Sequence, residues 1–212
     1  MALVFNLVLL IGLAFSPAAG WAAGARILAF GDSLTHGYGL DGPDVFPVRL
    51  QKALAAAGIA AEVQNAGVSG DTTAGGLARL DWALGDPAGL PDLVILELGA
   101  NDALRGTDPA ETEANLDAIL SRLGERGVKV LLVGMRAPPN LGGEYGTRFD
   151  GMFPRLAEKH RVAFYPFFLD GVAADPALNQ ADGMHPNPAG VAIIVERITP
   201  FVIRALEQRN PA

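Results

Sequence analysis

From Arg26 onward, the sequence alternates short apolar runs with longer stretches of helical period, and this alternation restricts the possible folds strongly. Five apolar runs are strand candidates, at 27–30, 61–67, 93–99, 128–134 and 162–167. The third and fourth runs are continuously apolar, which is typical of strands buried on both faces of a sheet. Strands that alternate with helices favour a parallel sheet with helices on both sides. We therefore predict an α/β fold.

The stretches between the strand candidates carry helix start and stop signals. One helix is expected to begin after Asp44 and to stop at Gly58, and another to begin at Asp108, which is followed by a proline. Asn187 opens the last helix, which we expect Pro200 to kink or break. Together with the five strands, these helices predict a three-layer α/β/α sandwich around a flavodoxin-like five-stranded parallel sheet.

The N-terminus has the form of a secretory signal. Residues 3–15 are almost entirely apolar and are followed by small residues up to Ala25, although no Lys or Arg precedes Arg26. We predict a signal peptide at 1–25, with cleavage between 20 and 25, and a single domain at 26–212. An uncleaved membrane anchor and an ordinary buried helix are the alternatives. The signal peptide predicts a periplasmic or secreted protein.

Composition excludes several classes of function. The formal net charge is −7 and there is no basic cluster, so nucleic acid and anionic membranes are poor partners. The chain has no cysteine, which excludes disulfides, thiolate chemistry and cysteine-based zinc sites. Nothing in the sequence requires a protein partner, so we expect a monomer.

Polar clusters follow the predicted strands and precede the last helix. Ser33 comes where the first strand turns into a helix, and Asp182 and His185 lie three residues apart near the end of the chain. With a turn between them, the carboxylate can orient one imidazole nitrogen while the other takes the proton of a serine hydroxyl. Ser33 as a helix cap and His185 as a chance loop residue are the alternatives. We predict a catalytic triad of Ser33, His185 and Asp182.

Two further clusters supply candidate donors to a developing oxyanion. Gly70 follows the second strand and Asn101 follows the third. The backbone N–H groups of Ser33 and Gly70 and the side-chain amide of Asn101 can all donate to a negative oxygen. A turn glycine and a helix cap are the alternatives for Gly70 and Asn101. All these clusters fall at one edge of the predicted sheet, which favours the oxyanion hole.

The remaining histidines are weaker candidates. His36 is tethered to the same turn as Ser33, so it is a doubtful base, although it could line a pocket. His160 lies late in a polar helical segment, and we expect it to be solvated. His185 and Asp182 could also bind a metal, but no third ligand has suitable spacing, and nucleotide-binding motifs are absent. We therefore expect neither a metal nor a cofactor.

Several charged residues near the candidate site receive structural interpretations. We expect Asp32 to accept hydrogen bonds from the backbone of the Ser33 turn. Glu97 lies inside an apolar strand and requires a partner, either a backbone N–H group or Arg105. Asp71 and Arg79 are expected to have structural roles only.

The polar clusters resemble the conserved blocks of the SGNH (GDSL) hydrolase family. The matching segments are GDSL at 31–34, SGD at 69–71, GAND at 99–102 and DGMHPN at 182–187. The resemblance extends from about residue 26 to about residue 203, and it is strongest to a bacterial periplasmic branch of arylesterases, acyl-CoA thioesterases and lysophospholipases. It implies a metal-free serine hydrolase with an α/β/α sandwich that attacks small acyl esters or thioesters.

Two loops are candidates for the acyl-binding pocket. The resemblance implies that Leu104, in the loop after Asn101, lines a mobile wall. The Gly- and Pro-rich stretch 135–146, which includes Pro139, follows the fourth strand and could form an irregular wall around acyl chains. A carbohydrate O-deacetylase on the same scaffold is one alternative function. A non-catalytic module that binds the cell envelope is another.

Overall fold

Five parallel strands form the centre of the protein. The structure is a computed structural model that describes residues 24–208, so residues 1–23 of the predicted signal peptide lie outside the described part. The strands are β1 (Ala25–Gly31), β2 (Ala61–Gly67), β3 (Leu93–Glu97), β4 (Lys129–Val133) and β5 (Ala163–Tyr165). Their order across the sheet is β2-β1-β3-β4-β5, with every neighbouring pair parallel. This confirms the predicted strands and the flavodoxin-like topology.

Seven α-helices cover the sheet in the described residues. They are α1 (Ser33–His36), α2 (Phe46–Ala56), α3 (Thr73–Leu84), α4 (Ala100–Leu104), α5 (Pro109–Glu125), α6 (Gly143–His160) and α7 (Pro188–Glu207). Helices α2 and α7 pack together, and α5 packs against α3 and α6. The two groups form the outer layers of the predicted sandwich. All five residues of β3 are buried, as the continuous apolar pattern indicates.

The strand order brings the candidate segments to one edge. Strand β1 lies between β2 and β3, and β1 pairs with both over most of its length. The segments that follow these three strands therefore meet at the carboxyl edge of the sheet, where open parallel sheets bind ligands. Close packing there requires glycine: a Cβ on Gly31 would lie 2.1 Å from Thr35 Oγ1, and one on Gly67 would lie 2.2 Å from the His36 nitrogen.

Two predictions about local structure were wrong in part. Helix α7 does not break at Pro200 but continues through it. Proline has no N–H group, so the carbonyl of Glu196, four residues before Pro200, has no donor within the helix. Both residues are exposed, so water can donate a hydrogen bond to that carbonyl oxygen. The predicted loop 135–146 is also too long. A 3₁₀ turn at Pro139–Leu141 interrupts it, and α6 begins at Gly143. Among residues 24–208, no helix is both long and apolar enough to span a membrane.

Candidate active site

Ser33 occupies the first position of a very short helix. Asp32 caps α1 by accepting a hydrogen bond from the Leu34 N–H group at 2.9 Å, as predicted for this side chain. The helix ends after one turn at Gly37, whose φ of 89° lies in the left-handed region that glycine adopts freely. The Ser33 N–H group has no intrahelical acceptor at this position, so it is available as a donor.

A hydrogen-bonded chain joins three of the predicted residues. The Ser33 hydroxyl donates to Nε2 of His185 at 2.9 Å. Nδ1 of the same ring donates to Oδ2 of Asp182 at 2.6 Å. The serine and the histidine are 152 positions apart in the sequence, so the fold brings them together. This is the geometry that a serine nucleophile, a base and an orienting carboxylate require.

The turn from Asp182 to His185 stabilises the carboxylate in its charged form. Oδ1 of Asp182 accepts the N–H groups of Met184 at 2.9 Å and His185 at 3.0 Å, while Oδ2 faces the imidazole. These hydrogen bonds, with the backbone of His185 contributing most, lower the pKa of Asp182 to about 2. Asp182 is therefore ionised at neutral pH and can stabilise an imidazolium beside it.

Gly70 lies in the loop after β2 and Asn101 lies in the short helix α4, and these two segments contact each other. Gly70 has a φ of 80°, and its carbonyl accepts a hydrogen bond from Arg105 Nη2 at 2.7 Å. The side-chain amide of Asn101 donates to Asp32 Oδ2 at 3.0 Å and to the carbonyl of Asp71 at 2.9 Å. Both donors of Asn101 thus have protein acceptors. To reach an oxyanion, the amide must share or release one of them.

Arg79 connects the ends of two strands to the Gly70 loop. Its guanidinium donates to the carbonyls of Ala66 and Gly31, both at 2.9 Å, and to Oδ2 of Asp71 at 2.6 Å. It also lies 4.1 Å from the centre of the Phe30 ring. These contacts give Arg79 and Asp71 the structural roles that were predicted for them.

Two buried carboxyl groups lie beneath the Ser33 turn. Oε2 of Glu97 accepts hydrogen bonds from Thr35 Oγ1 at 2.7 Å and from the Asp32 N–H group at 3.4 Å. The closer donor is thus the Thr35 hydroxyl, which was not predicted. Of the two predicted partners, a backbone N–H group forms the longer bond, whereas Arg105 binds Gly70 instead. Burial raises the pKa of Asp32 to about 6, and burial and the nearby Asp32 raise the pKa of Glu97 well above its usual value.

A third buried carboxyl group, that of Asp102, was not singled out from the sequence. Asp102 is the residue after Asn101, and its two oxygens accept hydrogen bonds from the N–H group of Thr73 at 2.9 Å and from Thr73 Oγ1 at 2.6 Å. Asn115 Nδ2 also donates to Thr73 Oγ1. This network ties α4 to the start of α3, and so holds the Asn101 segment against the Gly70 segment.

Gln180 was also missed by the sequence reasoning. Its side-chain amide donates to the carbonyl of Tyr38 at 2.7 Å and to that of Pro186 at 3.0 Å. Its backbone N–H group donates to the carbonyl of His185 at 2.8 Å. Gln180 therefore links the segment after Ser33 to the segment that carries His185. Its position just before the DGMHPN segment was the only sequence signal available.

The other two histidines have different surroundings. The exposed His36 ends α1 and accepts a hydrogen bond from Asn65 through its backbone carbonyl. The prediction that His160 is solvated was wrong, because its side chain is only 15% exposed and its Nε2 lies 2.6 Å from Asp117 Oδ1. His160 is at the end of α6 and Asp117 is on α5, so the pair joins two helices that the sequence gives no reason to align.

The two predicted pocket residues lie on exposed surface. Leu104 is 57% exposed at the end of α4, and Pro139 is exposed in the 3₁₀ turn after β4. Their segments lie close together, because the Tyr145 hydroxyl donates to the Thr107 carbonyl at 2.8 Å. Neither residue has a described hydrogen bond or ring contact with the Ser33–His185–Asp182 chain, so their binding role stays a prediction. Within residues 24–208, no group of three or more metal-ligating side chains is suited to hold a metal ion.

Three curated relatives cover most of this chain. Esterase TesA of Pseudomonas aeruginosa is 41% identical over 179 residues, which make up 84% of this chain and 88% of the relative. An arylesterase of Vibrio mimicus is 38% identical over 192 residues, or 91% and 95% of the two chains. Thioesterase 1/protease 1/lysophospholipase L1 of Escherichia coli K12 is 38% identical over 166 residues, or 78% and 77%.

A solved structure and a family profile agree with these relatives. The crystal structure of AlinE4, an esterase of the SGNH-hydrolase family, is 49% identical to this chain and superposes with a TM-score of 0.74. The match covers 91% of this chain and all of that one. The sequence profile of the GDSL-like lipase/acylhydrolase family matches residues 29–193. The chain therefore belongs to the GDSL-like lipase/acylhydrolase family, the SGNH hydrolases.

Proposed function

We propose that this protein hydrolyses carboxylic esters, and thioesters with the same acyl groups, through an acyl-enzyme on Ser33. The observation that carries the proposal is the continuous hydrogen-bonded chain from Ser33 through His185 to Asp182, in a member of an acylhydrolase family. The chain is a hydrolase by family. The assignment of the reaction to these three side chains is the part that the experiment below tests.

In the acylation step, Ser33 Oγ attacks the acyl carbonyl carbon while Nε2 of His185 removes the hydroxyl proton. Asp182 holds the Nδ1–H tautomer and stabilises the imidazolium that forms. When the tetrahedral intermediate collapses, the bond to the leaving oxygen or sulfur breaks. His185 gives the proton to that atom, so the products are the acyl-enzyme and a neutral alcohol or thiol.

The oxyanion of the intermediate requires donors on the side opposite His185. The N–H groups of Ser33 and Gly70 are available for this purpose, and the amide of Asn101 lies beside both segments. Two features support a fixed position for this group. Arg105 holds the Gly70 carbonyl, and Asp32 and Asp71 hold the Asn101 amide. The N–H groups of Ser33 and Gly70 need little reorganisation as the negative charge develops, whereas the Asn101 amide must share or release one of its two present acceptors.

Deacylation repeats the same proton transfers with water as the nucleophile. His185 removes a proton from water, the hydroxide oxygen attacks the acyl carbon, and the bond to Ser33 Oγ breaks. The proton then returns to Ser33, and the free acid leaves. Each residue therefore serves twice, which is the behaviour expected of a serine–histidine pair.

The printed names of the relatives guide the substrate proposal. They include an esterase, an arylesterase and a protein named as both thioesterase and lysophospholipase. We infer that this chain accepts aryl esters and thioesters, and that Leu104 and Pro139 contact the acyl chain. The apolar run at 3–15 supports export through a signal peptide and hence a periplasmic or secreted location. We infer that the mature chain acts as a monomer.

The proposed function is tested by hydrolysis of a p-nitrophenyl ester series, from acetate to long acyl chains, with the mature wild type and Ser33→Ala. The wild type is expected to hydrolyse at least part of the series, and the variant to lose at least about 10³-fold in kcat while it keeps its fold. Folded wild-type protein without activity on any ester would contradict the proposal. Activity on acetylated sugars alone would instead identify the deacetylase.

A further inference from the structure

Tyr38 presents an exposed aromatic ring beside the imidazole of His185. The two ring centres are 4.6 Å apart and the ring planes are tilted by 37°. Tyr38 is nevertheless 51% exposed. One part of the ring therefore packs on His185, while much of its surface is open to a molecule bound at the site.

The backbone of Tyr38 is fixed from two directions. Its N–H group donates to the carbonyl of Ser33 at 3.1 Å, and its carbonyl accepts the amide of Gln180 at 2.7 Å. Gln180 also donates to the carbonyl of His185. The backbone that carries the ring is thus held relative to Ser33 and His185 by hydrogen bonds.

The role of His185 as a proton donor determines where the leaving group of the substrate lies relative to the Tyr38 ring. The same Nε2 atom that faces Ser33 Oγ must give its proton to the leaving oxygen or sulfur. The leaving atom therefore lies within hydrogen-bonding distance of Nε2. The rest of the leaving group extends past the imidazole, and Tyr38 is the aromatic side chain in contact with that imidazole.

We propose that Tyr38 determines leaving-group specificity by providing a platform on which planar, aromatic leaving groups pack. The inference rests on the proposed function, because it requires His185 to protonate the leaving group. Phenol-like leaving groups gain an aromatic contact with the open part of the ring, and compact aliphatic alcohols do not. Tyr38 is thus a specificity residue for the alcohol side of the ester.

The test compares kcat/KM for phenyl butyrate and 2,2,2-trifluoroethyl butyrate. These esters share an acyl group and have acidic leaving groups, but only phenol is planar and aromatic. We expect Tyr38→Ala and Tyr38→Leu to lower the phenyl-to-trifluoroethyl ratio by about 2- to 10-fold, the range for one aromatic contact. Tyr38→Phe keeps the ring and is expected to keep the ratio.

Trp82→Ala is the matched control, because Trp82 is 83% exposed on α3 and its loss is expected to leave the ratio unchanged. Equal losses for both esters in Tyr38→Ala and Tyr38→Leu, or no loss at all, would overturn the inference and leave the ring as a support for His185. These results are distinct from failure of the proposed function, in which the wild type shows no Ser33-dependent hydrolysis of either ester.

Discussion

Two pairs of side chains flank Ser33, Asp182–His185 and Asp32–Glu97, and the pKa of their carboxyl groups is shifted in opposite directions. On the solvent side, Asp182 is held by the ring and backbone of His185, and its pKa is lowered to about 2. On the core side, Asp32 and Glu97 are fully buried, and the pKa of Asp32 is raised to about 6. A carboxyl group on the solvent side of the serine is thus stabilised in its charged form, whereas those on the core side are shifted towards their protonated form.

The difference arises from donors and water rather than from sequence distance. Asp182 accepts from three N–H groups and remains partly exposed, whereas Asp32 and Glu97 accept from two donors each and have no contact with solvent. Asp32 is adjacent to Ser33 in the chain, but its oxygens are occupied by the backbone of Leu34 and the amide of Asn101. The solvent-facing carboxylate is therefore suited to catalysis, and the buried pair to holding the turn.

The largest effect is expected from Asp182→Asn, which removes the charge on the solvent side. The imidazole loses both its tautomer restraint and its counter-charge, so kcat is expected to fall by about 10³–10⁴-fold. Steady-state kinetics with p-nitrophenyl butyrate measure the change. Asp170→Asn is the control, because Asp170 pairs with Arg197 at a distance from the site. A loss of less than 10-fold in Asp182→Asn would remove this residue from the triad.

Asn101→Ala is expected to have the next largest effect. It deletes the proposed oxyanion donor and also leaves Asp32 Oδ2 without its amide partner. We expect kcat to fall by about 10²–10³-fold, the usual cost of one oxyanion donor, with a smaller change in KM. If KM alone rises, Asn101 binds the substrate in the ground state and does not stabilise the transition state.

Glu97→Gln is expected to change how stability depends on pH. The pKa of Asp32 is about 6 in the folded protein and 3.8 ordinarily. Its contribution to the free energy of unfolding is therefore complete below pH 3.8 and is lost as the pH rises to 6. The shift of Asp32 corresponds to a loss of about 3 kcal/mol in the free energy of unfolding of the wild type. The raised pKa of Glu97 also lowers this free energy as the pH rises. The neutral glutamine removes the Glu97 contribution and leaves that of Asp32.

Urea unfolding at pH 4, 5.5 and 7 measures this dependence. The decrease in unfolding free energy from pH 4 to pH 7 is expected to be smaller in Glu97→Gln than in the wild type. Asp182→Asn is expected to retain that decrease, because the pKa of Asp182 is lowered instead of raised and its contribution to stability changes only below pH 4. Parallel curves for Glu97→Gln and the wild type would show that Glu97 ionises in the folded protein.

The smallest effect is expected from Thr35→Val on the buried side. The valine has nearly the same shape but cannot donate to Glu97, which is left with the longer bond from the Asp32 N–H group. The free energy of unfolding is expected to fall by about 1–2 kcal/mol, the cost of a buried acceptor that loses a donor. Thr147→Val, which removes an exposed bond to Gly143, is the control. Equal changes in both variants would contradict a special role for the buried pair.

Patterns within short segments predicted the fold and the members of the candidate site. The continuous apolar runs gave the strands, because a parallel sheet buries both faces of β3 and β4. The parallel order then explains why segments after three different strands meet near Ser33. The spacing of Asp182 and His185 was sufficient to predict that a turn would join them, since three residues can be closed by a turn.

Contacts between distant segments could not be predicted in the same way. Gln180 and Tyr38 are 142 positions apart, and the pair His160–Asp117 joins two helices, so no local pattern indicates either contact. Pro200 illustrates a different limit. The sequence shows a residue that usually disrupts helices, but only the three-dimensional position shows that the affected turn faces water.

The most direct test of the account is covalent labelling of Ser33 by a fluorophosphonate, followed by intact mass and peptide mapping. We expect one adduct per wild-type chain, located on Ser33, no adduct in Ser33→Ala, and much slower labelling in Asp182→Asn. An adduct on another residue, or folded wild-type protein that is not labelled, would contradict the assignment of Ser33 as the nucleophile activated by His185 and Asp182.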